Sequence, residues 1–328
     1  MMNDMRSPRE KARSLIEESL TEGKAGDFAG ARRGLDALAA DHQLLEQAGL
    51  GPLTAAGEPR KLHAARLKLA KLEGDAGAIA ALQYHLVPKP EVLADLAAFR
   101  PGERAAMAEL NMAPVPRILH QIWLGSLALP PATAAWAAVS TAQDLTYRLW
   151  READLAEQGF DRHPSFKAML DRGDYPGAVD VARYLILQRF GGIYLDCDWY
   201  PARDDIGFEA FHPLIGLSAL PEETPRLTGK GPLLLTNSFI AAPPGHPVFE
   251  KLLKTMPEAM ARLPDAPAWW TTGPLLFTLI LRATSVSLPA HGFVASSLPR
   301  RADFAVVEAA RADAAANGGG LLIGWKSW

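Results

Sequence analysis

A chain of 328 residues with a formal net charge of −3 and no dense run of Lys or Arg lacks the electrostatic footprint of a nucleic-acid binder. Its 48% hydrophobic and 22% charged content is globular rather than disordered, and its length accommodates one large α/β domain with a smaller appendage. The single cysteine, Cys197, excludes an intramolecular disulfide and fits a reducing compartment.

The opening residues, MMNDMRSPREKARS, lack the apolar core of a leader, and no apolar run reaches the roughly 18 residues of a membrane span. The expectation is a cytoplasmic protein, with peripheral attachment at the inner membrane surface left open. Residues 1–112 are rich in Ala, Leu, Lys, Arg and Glu, and their periodicity predicts helices. Glu22–Leu38 and Leu72–Leu86 each set a Gly-Asp turn before an Ala-rich helix, in the manner of stacked helical hairpins. Their spacing misses the period of about 34 residues of tetratricopeptide repeats, so a helical cap or dimerisation arm is the simpler reading. Its expected work is docking a protein partner, a second copy or the acceptor, not chemistry.

Two prolines in Asn111–Pro116 mark a boundary, and residues 113–328 form the second predicted domain. Arg117–Gly125, RILHQIWLG, reads as a buried first strand. His120 within it is expected to be a packed core residue. Trp123, at its carboxyl end, offers a flat face to a nucleobase. Pro130–Thr141 reads as a helix, Tyr147–Trp150 as a second strand, and His163–Gly173 as an amphipathic helix. Alternating strands and helices with short connections predict an α/β sheet with helices on both faces, whose ligands lie beyond the carboxyl ends of the strands.

The chain is organised around Tyr175–Tyr200, YPGAVDVARYLILQRFGGIYLDCDWY. Val179, Ala182, Leu185, Ile186 and Phe190 recur at helical spacing, Pro176 suits the first turn, and Gly191–Gly192 stop the helix. Ile193–Leu195 then form a short strand delivering Asp196 and Asp198. Residues i and i+2 of a strand point the same way, so both carboxylates face one ligand unless a turn intervenes. Paired carboxylates suit Mg²⁺ or Mn²⁺, which keeps positions open for substrate phosphates. Asp-x-Asp alone recurs by chance; the preceding helix, with Asp180 and Arg183, gives it weight. Cys197, between the two acids, is expected to face the sheet as a structural residue.

Downstream, His212–Leu220 reads as a strand. Leu233–Pro247 reads as another, interrupted by Thr236-Asn237-Ser238, which is either the wet side of an edge strand or a place where Asn237 faces the ligand cleft. Val248–Leu263 reads as a helix. Trp269–Thr284 reads as a second helix whose Thr271, Thr272 and Gly273 cap its start or meet an anion there. The terminal NGGGLLIGWKSW is expected to tuck its aromatic residues into the protein.

In combination, RILHQIWLG, YRLW, AVDVARYLILQRFGGIYLDCD, TNSFIAAPPGHP, TGP and a terminal SW resemble the Asp-x-Asp glycosyltransferases of the sugar-binding-region type, family 32, over about Pro116–Trp328. The resemblance implies a GT-A fold, a Rossmann-like mixed sheet flanked by helices. It also implies a GDP- or UDP-hexose donor, a divalent metal, Mn²⁺ or Mg²⁺, and retention of anomeric configuration. It places Trp123 beside the nucleobase, Asp180 and Arg183 at the transferred sugar and diphosphate, and Asp196 at the ribose and a metal-bound water. Asp198 becomes the direct metal ligand, Asn237 a neighbour of the donor sugar, and Ser327 and Trp328 a closure over the donor. Val179 stands where a Ser is common, and Lys326 where a His often precedes the terminal SW. The acceptor is expected to be a glycan, a lipid-linked sugar or a polysaccharide precursor. Sugar-nucleotide hydrolysis, nucleotidyl transfer by the same metal site, and an inactive scaffold are the competing readings.

Overall fold

A computed structural model describes residues 6–54, 56–86, 92–223, 234–264 and 266–328. The chain forms two compact units, one built mainly from residues up to Val92 and the other from Leu93 onward. The division therefore falls before the expected boundary at 112/113. The physical reason is that the intervening segment packs with the second unit: Asp95 forks onto Arg262 at 2.6 and 2.8 Å, and the Asn111 amide donates to Thr284 Oγ1 at 2.8 Å.

The first unit is helical: α1 (Pro8–Lys24), α2 (Phe28–Ala40), α3 (His42–Ala48), α4 (Arg60–Glu73) and α5 (Ala76–Leu86). Both Gly-Asp turns act as read from the sequence. The Asp27 carboxylate accepts from Gly30 N at 2.7 Å, and that of Asp75 from Ala78 N at 3.0 Å, each satisfying an orphan donor at a helix start. α1 pairs with α2 and α4 with α5, and Ala31, Leu35, Leu38, Leu62 and Leu69 close the core of the unit.

The second unit opens with α6 (Pro101–Leu110) and then alternates strands and helices: β1 (Ile118–Ile122), α7 (Pro131–Ala142), β2 (Thr146–Trp150), α8 (Glu152–Glu157), α9 (Pro164–Asp171), α10 (Tyr175–Phe190) and β3 (Gly192–Leu195). β4 (Trp199–Pro201), β5 (Ser218–Pro221), β6 (Leu235–Ala242), β7 (Val294–Ser297) and β8 (Leu322–Gly324) complete the strands. The central sheet has the order β2-β1-β3-β6-β5. β2, β1 and β3 run parallel, whereas β6 is antiparallel to both β3 and β5. A mixed central sheet flanked by helices agrees with the GT-A architecture that the resemblance implied. A second sheet, β4-β8-β7, brings the C-terminal segment onto the residues that follow the Asp-x-Asp. Leu321, Leu322 and Ile323 are fully buried there and Trp325 is buried as expected of the terminal aromatics, whereas Trp328 is only partly covered.

Several elements depart from the sequence reading. The strand expected over His212–Leu220 begins only at Ser218, because Gly216 takes a φ of 69° where a Cβ would lie 2.4 Å from Asn111 O. The helix expected over Trp269–Thr284 is two short helices, Ala268–Thr271 and Pro274–Leu281, since Pro274 supplies no N–H to continue the first. α10 is buried on nearly every side, including at Asp180 and Arg183. β6 lies between β3 and β5, so the edge-strand reading of Thr236–Ser238 is wrong.

Gly191 and Gly192 set the position of the acidic pair. Both have positive φ, 60° and 97°. A Cβ on Gly192 would sit 2.7 Å from Ile118 O and 3.0 Å from His120 Nε2. His120 fills that close approach: its Nε2 donates to Gly191 O at 3.0 Å, while Nδ1 accepts from Trp150 Nε1 at 3.1 Å. Burial holds this imidazole at a pKa of about 4, and Arg148 adds to the depression. His120 is structural, as its apolar setting implied, and it fixes where α10 ends and β3 begins.

Candidate active site

The site grows from two residues one turn apart on α10. Asp180 and Arg183 form an i,i+3 pair with Nη2 to Oδ1 at 3.1 Å, both buried. A buried pair survives only when its other polar atoms are satisfied, and here they are. Asp180 Oδ1 also accepts from Asn237 Nδ2 at 2.8 Å, and Oδ2 accepts from Thr272 Oγ1 at 2.9 Å. Arg183 Nη1 donates to Asn237 O at 2.6 Å and meets Asp196 Oδ1 at 3.2 Å. Tyr184 OH receives the second Asn237 amide proton at 2.8 Å and donates to Thr272 O at 3.1 Å. Burial raises the Asp180 pKa to about 6 against the lowering pull of Arg183, Asn237 and Thr272. Burial disfavours the charge on Arg183, but Asp196 and Asp180 more than compensate and raise its pKa.

Beyond this network the strand ends. β3 stops at Leu195, and a turn closed by Trp199 N donating to Asp196 O at 3.1 Å separates the two acids. The alternation that would aim Asp196 and Asp198 alike therefore does not operate; the turn does that work, and both side chains line one cleft of about 360 Å³. Asp196 Oδ1 is held by Tyr194 OH at 2.6 Å as well as by Arg183, whose guanidinium lies 4.6 Å from the Tyr194 ring centroid. Asp198 differs. Among the described residues no side chain donates to its carboxylate, whose pKa is pushed up to about 6 by burial and by neighbouring Asp196, with Lys326 and its own backbone N–H pulling the other way. Its carbonyl accepts from Trp325 N at 2.7 Å, which ties the C-terminal segment to this turn. Cys197 is buried, donates through Sγ to Ile122 O at 3.3 Å, and has its thiol pKa raised by burial. It is a structural residue, not a nucleophile.

The cleft is also lined by Trp123, Tyr175, Val179, Arg183, Lys326 and Trp328, within the size range of small-molecule sites. Trp123 and Trp328 meet edge to face, ring centroids 4.8 Å apart. Trp123 Nε1 donates to Leu127 O at 2.9 Å, and Arg300 Nε donates to Trp328 O at 2.7 Å. Of the residues singled out in the sequence, Trp123, Arg183, Asp196, Asp198 and Trp328 share the cleft. Asp180, Asn237 and Ser327 are not among its lining residues. For Asp180 and Asn237 the reason is physical: every strong contact they make is to each other, to Arg183, to Thr272 or to Tyr184. They set the guanidinium in place instead of facing a ligand. Thr272, read as a cap or anion contact, spends its hydroxyl on Asp180. Sequence reasoning missed Tyr194, Tyr175 and Tyr184. Only the Tyr194–Asp196 spacing carried a signal, and it was too weak to single out.

Among the described residues no three His, Cys, Asp or Glu side chains gather as a complete metal cage. The donor set at the cleft is two carboxylates, and one of them, Asp198, receives no side-chain hydrogen bond or direct ion pair among the described residues. That fits Mg²⁺ or Mn²⁺, which takes one or two protein carboxylates and completes its shell with water and substrate phosphate. Asp196 and Asp198 would hold such an ion, with Arg183 and Lys326 available to the remaining negative charge.

Comparison with known proteins bears on the same region. Residues 137–210 match the family model described as "Glycosyltransferase sugar-binding region containing DXD motif", a shorter span than the resemblance covered. Inositol phosphoceramide mannosyltransferase 3 of Schizosaccharomyces pombe is 27% identical over 52% of this chain and 46% of its own length. Mannosyl phosphorylinositol ceramide synthase SUR1 of Saccharomyces cerevisiae is 29% identical over 42% of this chain and 34% of its own. The matches thus span less than half of either relative. A solved structure, PaToxG Glycosyltransferase, is 16% identical with a TM-score of 0.41, over 58% of this chain and 76% of that chain.

Proposed function

We propose that the protein is a glycosyltransferase that moves a hexose from a nucleoside-diphosphate sugar to an acceptor hydroxyl with retention of configuration, a reading supported by the match of residues 137–210 to the DXD-type sugar-binding region. The observation that carries the reading is Arg183: a buried guanidinium held by Asp180 and Asn237 and presented beside Asp196 and Asp198 in a cleft with an aromatic mouth. The names of the fungal relatives favour mannose as the sugar and a phosphoinositol-bearing glycolipid as the acceptor.

The chemistry follows from where charge develops. As the bond from the anomeric carbon to the phosphate oxygen breaks, negative charge accumulates on the diphosphate. A divalent ion on Asp198 and Asp196 supplies Lewis-acid stabilisation of that leaving group when bound. Arg183 adds a fixed positive charge that needs no reorganisation during the reaction, a kind of contribution worth roughly 3 kcal/mol per well-placed donor. Lys326, on a flexible stem at the cleft, adds a second. Trp123 and Trp328 give the base a flat apolar wall. Asp180 is a poor covalent nucleophile, since both of its oxygens already accept hydrogen bonds and it lies outside the cleft lining. That supports attack by the acceptor hydroxyl on the face the diphosphate leaves, its proton passing to a departing phosphate oxygen.

The test is a panel of GDP- and UDP-hexoses with Mn²⁺ or Mg²⁺, following diphosphate release and the anomeric configuration of the product. Glycoside with the donor's configuration supports the reading. Free sugar alone would make the protein a sugar-nucleotide hydrolase, a sugar linked to nucleoside triphosphate a nucleotidyltransferase, and no donor binding a scaffold.

A further inference from the structure

The mouth of the cleft is built unlike the rest of the surface. Between Arg117 and Asp144 the sequence contains no Asp, Glu, Lys or Arg. Within that stretch Leu127 and Leu129 are 63% and 48% exposed, and Tyr175 beside them is 47% exposed. Isolated exposed leucines need no explanation, but apolar side chains contiguous with a ligand cleft mark a docking surface. Leu127 and Tyr175 both line the cleft.

The segment is also held in place. Trp123 Nε1 donates to Leu127 O at 2.9 Å, Arg151 Nη2 donates to Gly125 O at 3.0 Å, and Gly125 N donates to Glu152. Gly125, with a φ of 87°, packs so closely that a Cβ would lie 3.3 Å from the Tyr175 ring. Leu127 therefore projects from a backbone already held at its carbonyl and at Gly125, so less backbone entropy remains to be lost when it buries.

Cations flank this apolar lip. Lys326 lines the same cleft, Arg300 is tied to Trp328 O at 2.7 Å, and Arg301 N donates to Lys326 O at 2.8 Å. All three are exposed, and among the described residues none forms a direct ion pair with an acid. Apolar prongs beside exposed cations that have no direct Asp or Glu ion pair among the described residues are complementary to an anionic lipid bilayer, where the prongs reach the acyl boundary and the cations meet headgroup phosphates.

We propose that the rim formed by Leu127, Leu129 and Tyr175, with Arg300, Arg301 and Lys326 beside it, seats the cleft on an anionic bilayer surface, so that the acceptor hydroxyl is presented from the lipid side. The inference rests on the transferase reading for what the seated cleft then does, but the docking itself is measured without donor. Among the described residues no helix is long and apolar enough to cross a membrane.

The sole cysteine of the sequence, Cys197, is buried, which allows a single-site probe. Leu129→Cys is labelled with an environment-sensitive dye and titrated with vesicles of phosphatidylcholine containing phosphatidylglycerol, and with phosphatidylcholine alone. A blue-shifted signal with the mixed vesicles, weakened by salt, is the expected result. The same dye on Lys254→Cys, in the Pro247–Arg262 helix that contributes nothing to the cleft lining, stays unshifted. Co-sedimentation with the mixed vesicles should fall about tenfold in Leu127→Ser/Leu129→Ser and roughly fivefold in Arg300→Gln. Leu129→Ser alone should leave donor-dependent diphosphate release with a soluble sugar acceptor unchanged. No vesicle binding, or binding that neither the leucine nor the arginine variant weakens, overturns the proposal. If vesicles bind as expected and no donor is turned over, it is the transferase reading that fails.

Discussion

Acid should loosen the joint that sets the acidic pair, and His120 makes the effect measurable. Its neutral ring donates from Nε2 to Gly191 O and accepts at Nδ1 from Trp150 Nε1, so a second proton would destroy one bond and set two donors against each other. The folded imidazole is the weaker base, with a pKa of about 4 against the ordinary 6.5. Its contribution to stability is therefore complete above pH 6.5 and is lost as pH falls toward 4. At about 1.4 kcal/mol per pKa unit, the loss is about 2 kcal/mol between pH 7 and pH 5 and about 3 kcal/mol by pH 4. Other groups titrate in the same window. His246, also held near 4, acts with the same sign, and Asp180, raised to about 6, with the opposite one. Comparison with His120→Gln removes them, because Gln keeps a donor and an acceptor but does not titrate. All eight tryptophans lie beyond Leu93, so urea unfolding followed by intrinsic fluorescence reports the second unit alone. The stability gap between wild type and variant should narrow by about 2 kcal/mol from pH 7 to pH 5. A gap that does not change with pH refutes the argument.

Asp198→Asn should lower donor turnover by roughly a hundredfold or more while leaving the circular dichroism spectrum unchanged; turnover close to wild type would remove Asp198 from the metal site. Asn237→Leu takes a donor from Asp180 and leaves Tyr184 OH without its amide partner, and should cost about 1–3 kcal/mol in urea unfolding. Its activity should fall through misplacement of Arg183, with kcat affected more than KM, and an unchanged kcat would count against that positioning role. Trp328→Ala should weaken nucleoside-diphosphate binding by roughly tenfold, read by calorimetry, and unaltered affinity would take the aromatic mouth out of donor binding.

The amino-acid sequence by itself determined the alternation of strands and helices after Pro116, because apolar runs, prolines and glycines are local signals. It also determined the grouping of Asp180 with Arg183 and of Asp196 with Asp198, since each pair is set by spacing of a few residues. It identified His120 and Cys197 as structural from their apolar surroundings. What it did not carry is which atoms are left unpaired once long-range partners arrive. Asn237 is 57 residues from Asp180 and Thr272 is 92 residues from it, and only the packing of α10 between those segments turned Asp180 into a fixed brace for Arg183. The same holds for Asp198, whose lack of a side-chain donor among the described residues depends on where the turn after β3 and the C-terminal strand β8 come together. Hydrogen-bond satisfaction is a property of the assembled fold: a carboxylate's role is decided by the donors that reach it, and those donors lie far away along the chain.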